Sequence, residues 1–170
     1  MLTIRSYEDR DRDATIRIFL DAIRHVAARD YAPAEVAAWA QVEDAEGWHR
    51  VRLSRPTWIA EVDGQPVGFT DLCPDGLVDM MFVAPDAGGR GVATALLQQV
   101  ETSARAAGLR RLWTEASRTA EGFFARHGFV VVRRQIVEKR GQQLGNAVME
   151  KTLPEGVVSA RDSGAERGQT

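Results

Sequence analysis

The chain has 170 residues, 44% of them apolar and 27% charged, with a formal charge of −2, the profile of one ordinary globular domain able to bury a core. It lacks the bulk positive charge that favours nucleic acid, and no apolar run nears the roughly 20 residues that span a bilayer. The start Met1-Leu2-Thr3-Ile4-Arg5 lacks the apolar stretch of a signal peptide, so the expectation is a cytoplasmic protein with neither nucleic acid nor membrane as partner.

Taken in chain order, Thr3-Ile4-Arg5-Ser6-Tyr7 alternates like a short strand, and Asp9 to Asp13 supplies caps and acidic first-turn residues for a helix. Ile16, Phe19, Leu20, Ile23 and Val26 recur at three- and four-residue steps, which predicts one apolar helix face running to about Arg29. Pro33 suits a first helical position, and Val36, Ala37, Trp39 and Ala40 suggest a second short helix. A further short helix is favoured over Trp48 to Ser54. After Pro56, Trp58 to Val62 reads as a strand, Asp63-Gly64 as a tight hairpin turn and Val67 to Cys73 as the return strand. Pro74-Asp75-Gly76 turns the chain into a third antiparallel strand over Val78 to Ala84.

Beyond Pro85 the period changes. A glycine-rich loop gives way to Val92, Leu96, Leu97, Val100 and Ala104 on one face of a helix ending near Gly108. Leu112 to Ala116 is the next strand, and a strand–helix–strand unit of this length predicts a right-handed crossover with parallel pairing, hence a mixed sheet. Ser117 or Thr119 caps a short helix through Ala125 that stops at Gly128, and Phe129 to Glu138 with Ala147 to Thr152 form a closing hairpin. Residues 1–153 are thus expected to make one domain, and the polar, glycine-containing segment 154–170 a disordered tail. Cys73 is the single cysteine and reads as a small buried residue rather than a nucleophile; His25, His49 and His127 are too scattered for a metal site, so no metal is expected.

The segment from Phe82 to Thr94 joins a strand to a helix N-terminus through Gly88, Gly89, Arg90 and Gly91. Unpaired amides of a first helical turn, together with the positive end of the helix dipole, favour a phosphate, and glycine lets the backbone approach it. Two other phosphate motifs do not fit: no Lys-Ser or Lys-Thr follows Gly91, and the preceding strand is antiparallel rather than part of a repeated βαβ unit.

The loop resembles the coenzyme A signature of GNAT acetyltransferases. Val83-Ala84-Pro85, Gly91-Val92-Ala93 and Leu96-Leu97 occupy the matching places. Phe123 to Phe129 looks like that family's helix-to-strand signature, and Asn146 to Leu153 is similar to its closing strand, so the likeness covers Leu2 to Leu153. Two positions depart from the pattern: Gly88 stands where the family usually has Arg or Gln, and Phe124 where it often has a tyrosine whose hydroxyl protonates the leaving thiolate.

The resemblance implies an α/β (α+β) fold with a mixed, mostly antiparallel sheet of six to seven strands, helices on both faces and a splayed central strand pair. It also implies an N-acetyltransferase that uses acetyl-coenzyme A as co-substrate and acetylates a small-molecule or peptide amine. Backbone groups of Phe82 and Val83 would hold the pantetheine arm, and amides from Gly88, Gly89, Arg90, Gly91, Val92, Ala93 and Thr94 the pyrophosphate. The Arg90 side chain is either a phosphate contact or a solvated surface group.

Asp79 is the first candidate base, on the cofactor-side strand where histone acetyltransferases of the family carry a carboxylate; its other reading is a carboxylate that binds the substrate cation or a neighbouring arginine. Glu115 is the second candidate, and Ser117 is either a water-linked proton relay or a helix cap. His127 reads as a C-terminal helix residue. Tyr31 and Trp39 are candidates for an acceptor wall, and Asn146 either orients substrate or bonds a turn. A homodimer stays open, as does a different class of function, a coenzyme-A-binding sensor with weak or no catalysis, for which Phe124 is the argument.

Overall fold

In the computed structural model, which describes residues 1–155, the opening alternation forms β1 (Leu2–Ser6). It pairs antiparallel with β2 (Thr57–Val62), from Leu2↔Val62 to Ser6↔Trp58. The Asp63-Gly64 turn has φ of 51° and 78°, the paired positive values of the hairpin type whose twist matches its strands, and returns the chain as β3 (Gln65–Asp71). β4 (Met81–Val83) completes a four-stranded sheet of order β1-β2-β3-β4. The other strands, β5 (Arg111–Ser117), β6 (Val130–Lys139) and β7 (Gln142–Thr152), form a second sheet of order β5-β7-β6. Seven strands in the described residues thus divide into two antiparallel sheets that diverge between β4 and β5.

The helices are α1 (Arg12–His25), α2 (Pro33–Trp39), α3 (Ala45–Leu53), α4 (Val92–Ala106) and α5 (Glu121–Arg126). α1 stops at His25 and tightens into a 3₁₀ turn over Ala27–Arg29, where Asp30 N donates to Ala27 O at 3.0 Å. α3 begins at Ala45, earlier than the sequence suggested, because Asp44 Oδ1 accepts from Gly47 N at 2.9 Å and caps it.

Alternation along the strands divides the interior into two cores. Trp58 and Ala60 of β2 point to the side holding Leu96, Leu97 and Val100 of α4 and Phe124 of α5. Ile59 of β2 and Phe69 of β3 point to the other side, against Ile18, Phe19 and Ile23 of α1. All five apolar positions of the α4 stripe are at most 2% exposed. At about 1.5–3 kcal/mol for each large side chain, that burial outweighs what fraying of one helical turn could gain, so the N-terminus of α4 is firmly seated.

Two expectations about the sheet are corrected. The third strand is three residues long rather than spanning Val78 to Ala84, because the chain at Val78–Met80 gives its backbone groups to two different strands. The parallel pairing across the crossover shrinks to one bridge, Leu77↔Trp113, with Val78 N donating to Trp113 O at 2.9 Å and Trp113 N to Gly76 O at 3.0 Å. Gly76 is required there, since a Cβ would lie 2.3 Å from Arg111 O. The segment read as a tail, 154–170, lies outside the described residues from residue 156 onward.

Candidate active site

A 3₁₀ turn over Pro85–Ala87 leads from β4 into the glycine loop. Gly89 and Gly91 have φ of 74° and 77°, and a Cβ built on either meets nothing within 4 Å. Backbone conformation, not crowding, therefore selects glycine, and the space beside the loop is open. Gly91 is the N-cap of α4, with no side-chain cap, and the first helical bond runs from Ala95 N to Gly91 O at 3.0 Å. The amides of Val92, Ala93 and Thr94 thus lie in the first turn, where no intrahelical acceptor exists. Gly88 has an ordinary φ of −61° and its nearest contact for a Cβ is Pro85 O at 3.5 Å, so a side chain there would leave the loop undistorted.

Thr94 and His127 form a latch between α4 and α5. His127 Nδ1 lies 2.8 Å from Phe123 O, which only accepts, so Nδ1 carries a proton, and Nε2 lies 3.2 Å from Thr94 Oγ1. His127 sits at the C-terminal end of α5, as its position before Gly128 suggested, and its contact with Thr94 adds a link to the start of α4 that the sequence did not show. Arg90 is exposed.

One edge of β4 pairs with β3 through Gly68↔Val83, Phe69↔Phe82 and Thr70↔Met81. Its other edge faces β5 across the divergence of the sheets and leaves strand backbone unpaired. The Phe82 ring stacks on Phe69 with centroids 5.9 Å apart and meets Phe19 edge-on at 4.9 Å, which holds this short strand in place. A cavity of about 340 Å³ occupies the divergence, walled by Met80 to Phe82, Thr114 to Ser117, Phe124 and Asn146. A more open depression of about 660 Å³ adjoins it and shares Gln41, Asp79 and Met80.

The cavity brings together Asp79, Glu115, Ser117, Phe82, Tyr31, Trp39 and Asn146. The Asp79 side chain is 38% exposed, with Oδ2 3.6 Å from Arg55 Nη1. Glu115 Oε1 accepts from Gln135 Nε2 at 3.1 Å. Ser117 Oγ accepts from Ala120 N at 3.1 Å in the turn ahead of α5, whose N-cap is Ala120 without a side-chain cap, so neither Ser117 nor Thr119 caps the helix as expected; the Ser117 hydroxyl hydrogen remains free for another acceptor. Thr119 instead bonds Asp30 Oδ2.

Tyr31 offers only its ring to the cavity. Its hydroxyl donates to Gly145 O at 2.7 Å and accepts from Arg118 N at 2.9 Å, and burial pushes the phenol above its usual range. Trp39 packs against Tyr31 and Phe82. Asn146 lies opposite Ser117 across β5 and β7, and its Oδ1 is buried with no hydrogen-bond partner.

Sequence reasoning missed a polar cluster beneath Asp79. Asp71, 0% exposed, lies 3.8 Å from Arg52 Nη2 and 3.6 Å from Arg55 Nη1 through Oδ2. Desolvation raises the Asp71 carboxyl and lowers the Arg52 guanidinium from their ordinary values, against their mutual attraction. Arg52 is 2% exposed and stacks over Trp48. Cys73 contacts Arg55, and burial pushes its thiol up, the direction of an inert side chain rather than a nucleophile. The one sequence signal for this cluster was the adjacent polar pair Thr70-Asp71 in a strand whose other residues are mostly apolar.

A family model described as an acetyltransferase (GNAT) domain matches residues 27–154. The uncharacterized N-acetyltransferase YafP of Escherichia coli (strain K12) is 36% identical over 148 residues, which are 87% of this chain and 94% of that protein. The crystal structure of a GCN5-related N-acetyltransferase from Rhodopseudomonas palustris superposes with a TM-score of 0.84 at 38% identity, covering 89% of this chain and 95% of that one. PaiA N-acetyltransferase from Thermoplasma acidophilum, solved in complex with coenzyme A, shares the fold at 16% identity, with a TM-score of 0.74 over 90% of this chain and 99% of that one.

Proposed function

The chain belongs to the GNAT acetyltransferase family, and from that premise we propose that it moves the acetyl group of acetyl-coenzyme A to a primary amine of a small molecule or peptide within a ternary complex. The observation that carries this reading is the coincidence of three features: an open first helical turn at Val92–Thr94, the unpaired edge of β4, and the cavity where β4 and β5 part. The open space beside Gly89 and Gly91 fits a pyrophosphate. The co-substrate supplies an activated acyl thioester.

Val83 presents its backbone groups along the free β4 edge for a pantetheine arm to pair with, whereas Phe82, expected to share that role, turns its own toward Phe69 of β3 in step with the bond from Ala84 N to Val67 O; an amide near Val83 polarises the thioester carbonyl. Asp79 is the proposed base. An amine of pKa about 9–10 is mostly protonated at neutral pH, and a carboxylate beside the cavity removes its proton directly or through water. The amine nitrogen then bonds to the acyl carbon and gives its surplus proton to water, the carbon–sulfur bond breaks, and sulfur leaves with the electron pair. Glu115 is the alternative base. Ser117, with its hydroxyl hydrogen unspent, relays a proton from water to the departing sulfur, since Phe124 has none to give. Trp39, the ring of Tyr31 and the amide of Asn146 form the acceptor wall.

The proposed setting is the cytoplasm. Among the described residues no helix is long and apolar enough to cross a membrane, and no cluster of three or more His, Cys, Asp or Glu is placed to hold a metal.

The test is thiol release from acetyl-coenzyme A with a panel of amines: L-lysine, spermidine, phenethylamine and a peptide with a free N-terminus. Amine-dependent release is expected for at least one class. Binding without turnover on any amine would favour a coenzyme-A sensor, the reading that Phe124 supports.

A further inference from the structure

Between Gly76 and Met80 the chain passes from one sheet to the other. Val78 belongs to β5: its N donates to Trp113 O at 2.9 Å and its carbonyl accepts from Thr114 Oγ1 at 2.9 Å. Met80 belongs to β3. Its carbonyl accepts from Thr70 Oγ1 at 2.7 Å and from Asp71 N at 3.3 Å, while Asp71 Oδ1 accepts from Asp79 N at 3.0 Å and Met80 N at 2.9 Å. Asp79 therefore stands at the vertex where the sheets part, its peptide neighbours fixed on both sides.

Thr70 and Asp71 are both 0% exposed. A carboxylate at such a position is costly to desolvate, and an apolar strand residue would continue the sheet without that cost. What the carboxylate supplies is an acceptor for two consecutive amides, which ordinary antiparallel pairing cannot serve from one strand, because successive amides point to opposite edges. Arg55 extends the link, its Nη1 lying 3.6 Å from both Asp71 Oδ2 and Asp79 Oδ2.

We infer that Asp71 is a positioning residue for Asp79: by taking the amides of Asp79 and Met80 it sets the start of β4 at Met81 and holds the Asp79 carboxylate at the mouth of the cavity. The inference rests on the proposed role of Asp79 as base. The competing account is that Asp71 serves only as counter-ion to Arg52.

The two accounts separate on Asp71→Asn, which keeps an oxygen for both amides but removes the charge, and Asp71→Ala, which removes both. Measured on the full chain with the fastest of the four amines, kcat is expected to stay within about fivefold of the parent in Asp71→Asn and to fall on the order of 50-fold in Asp71→Ala, with Kd for acetyl-coenzyme A within about threefold in each. In an Asp79→Asn background, Asp71→Ala should lower kcat by less than about threefold more. Equal losses in the two Asp71 variants, or additive losses in the double variant, would overturn the inference while leaving the acetyltransferase reading intact. Unchanged kcat in Asp79→Asn alone would remove the base assignment and this inference with it.

Should Asp71→Ala not fold, amide hydrogen exchange in the parent decides. Protection of Asp79 and Met80 about 100-fold or more above the exposed amide of Asp75 is expected, and exchange as fast as Asp75 would overturn the inference.

Discussion

From Gly88 to Thr94 the proposed site is made of backbone: two positive φ values, an open first turn, and space beside both glycines. From Val78 to Met80 it is made of contacts with β3 and β5, whose anchoring residues Thr70, Asp71, Trp113 and Thr114 lie eight or more positions away along the chain. The loop is a local structure that a single substitution breaks at the point of substitution. The vertex depends on residues of three segments, so it can be broken by changing a side chain that never touches a ligand.

The largest expected effect is at the loop. Gly91→Glu puts a side chain where φ is 77° and an anion at the proposed phosphate site, and it should weaken acetyl-coenzyme A binding on the order of 100-fold by calorimetry in a variant that still folds. Affinity equal to the parent would remove the loop from the site.

At the vertex, Asp79→Asn should do the opposite. Kd for acetyl-coenzyme A should stay within about twofold while turnover falls roughly 30-fold, because the carboxylate acts on the amine rather than the cofactor. The deficit should widen as pH falls, since protonation of an amine of pKa about 9–10 makes the free base scarcer. A pH–rate profile parallel to the parent's at equal height would leave Asp79 as nothing more than the partner of Arg55.

Gly88→Arg sharpens the loop side. Its φ of −61° accepts any residue, so the guanidinium can add a phosphate contact without strain, and affinity should rise about threefold to fivefold, less so at high salt. A decrease would mean that position 88 faces away from the phosphates.

Phe124 gives the smallest effect. It is 2% exposed and packs on Phe123 and Phe129, so Phe124→Leu should lower stability by about 1 kcal/mol and turnover per folded molecule only a few-fold. Phe124→Tyr should leave the rate within about tenfold if water and Ser117 supply the proton as proposed. A larger gain would show that the missing hydroxyl limits the reaction.

Much of the frame was legible without coordinates. The α4 stripe Val92, Leu96, Leu97, Val100 and Ala104 is buried as its period required, Asp63-Gly64 and Gly108 turn where their conformational freedom predicts, and the glycines between Pro85 and Val92 mark a helix N-terminus with free amides. These are short-range properties: a repeat of three to four residues, an alternation of two, or one residue with no Cβ, each visible in a window of the chain. Tertiary structure decided the rest. It cut the third strand to Met81–Val83, reduced the parallel pairing to one bridge, spent the Tyr31 hydroxyl on Gly145 and Arg118, and set Asp71 beneath Asp79. In each case a buried polar group had to find a partner far away in sequence, and nothing in the neighbouring residues specifies which partner folding brings within reach.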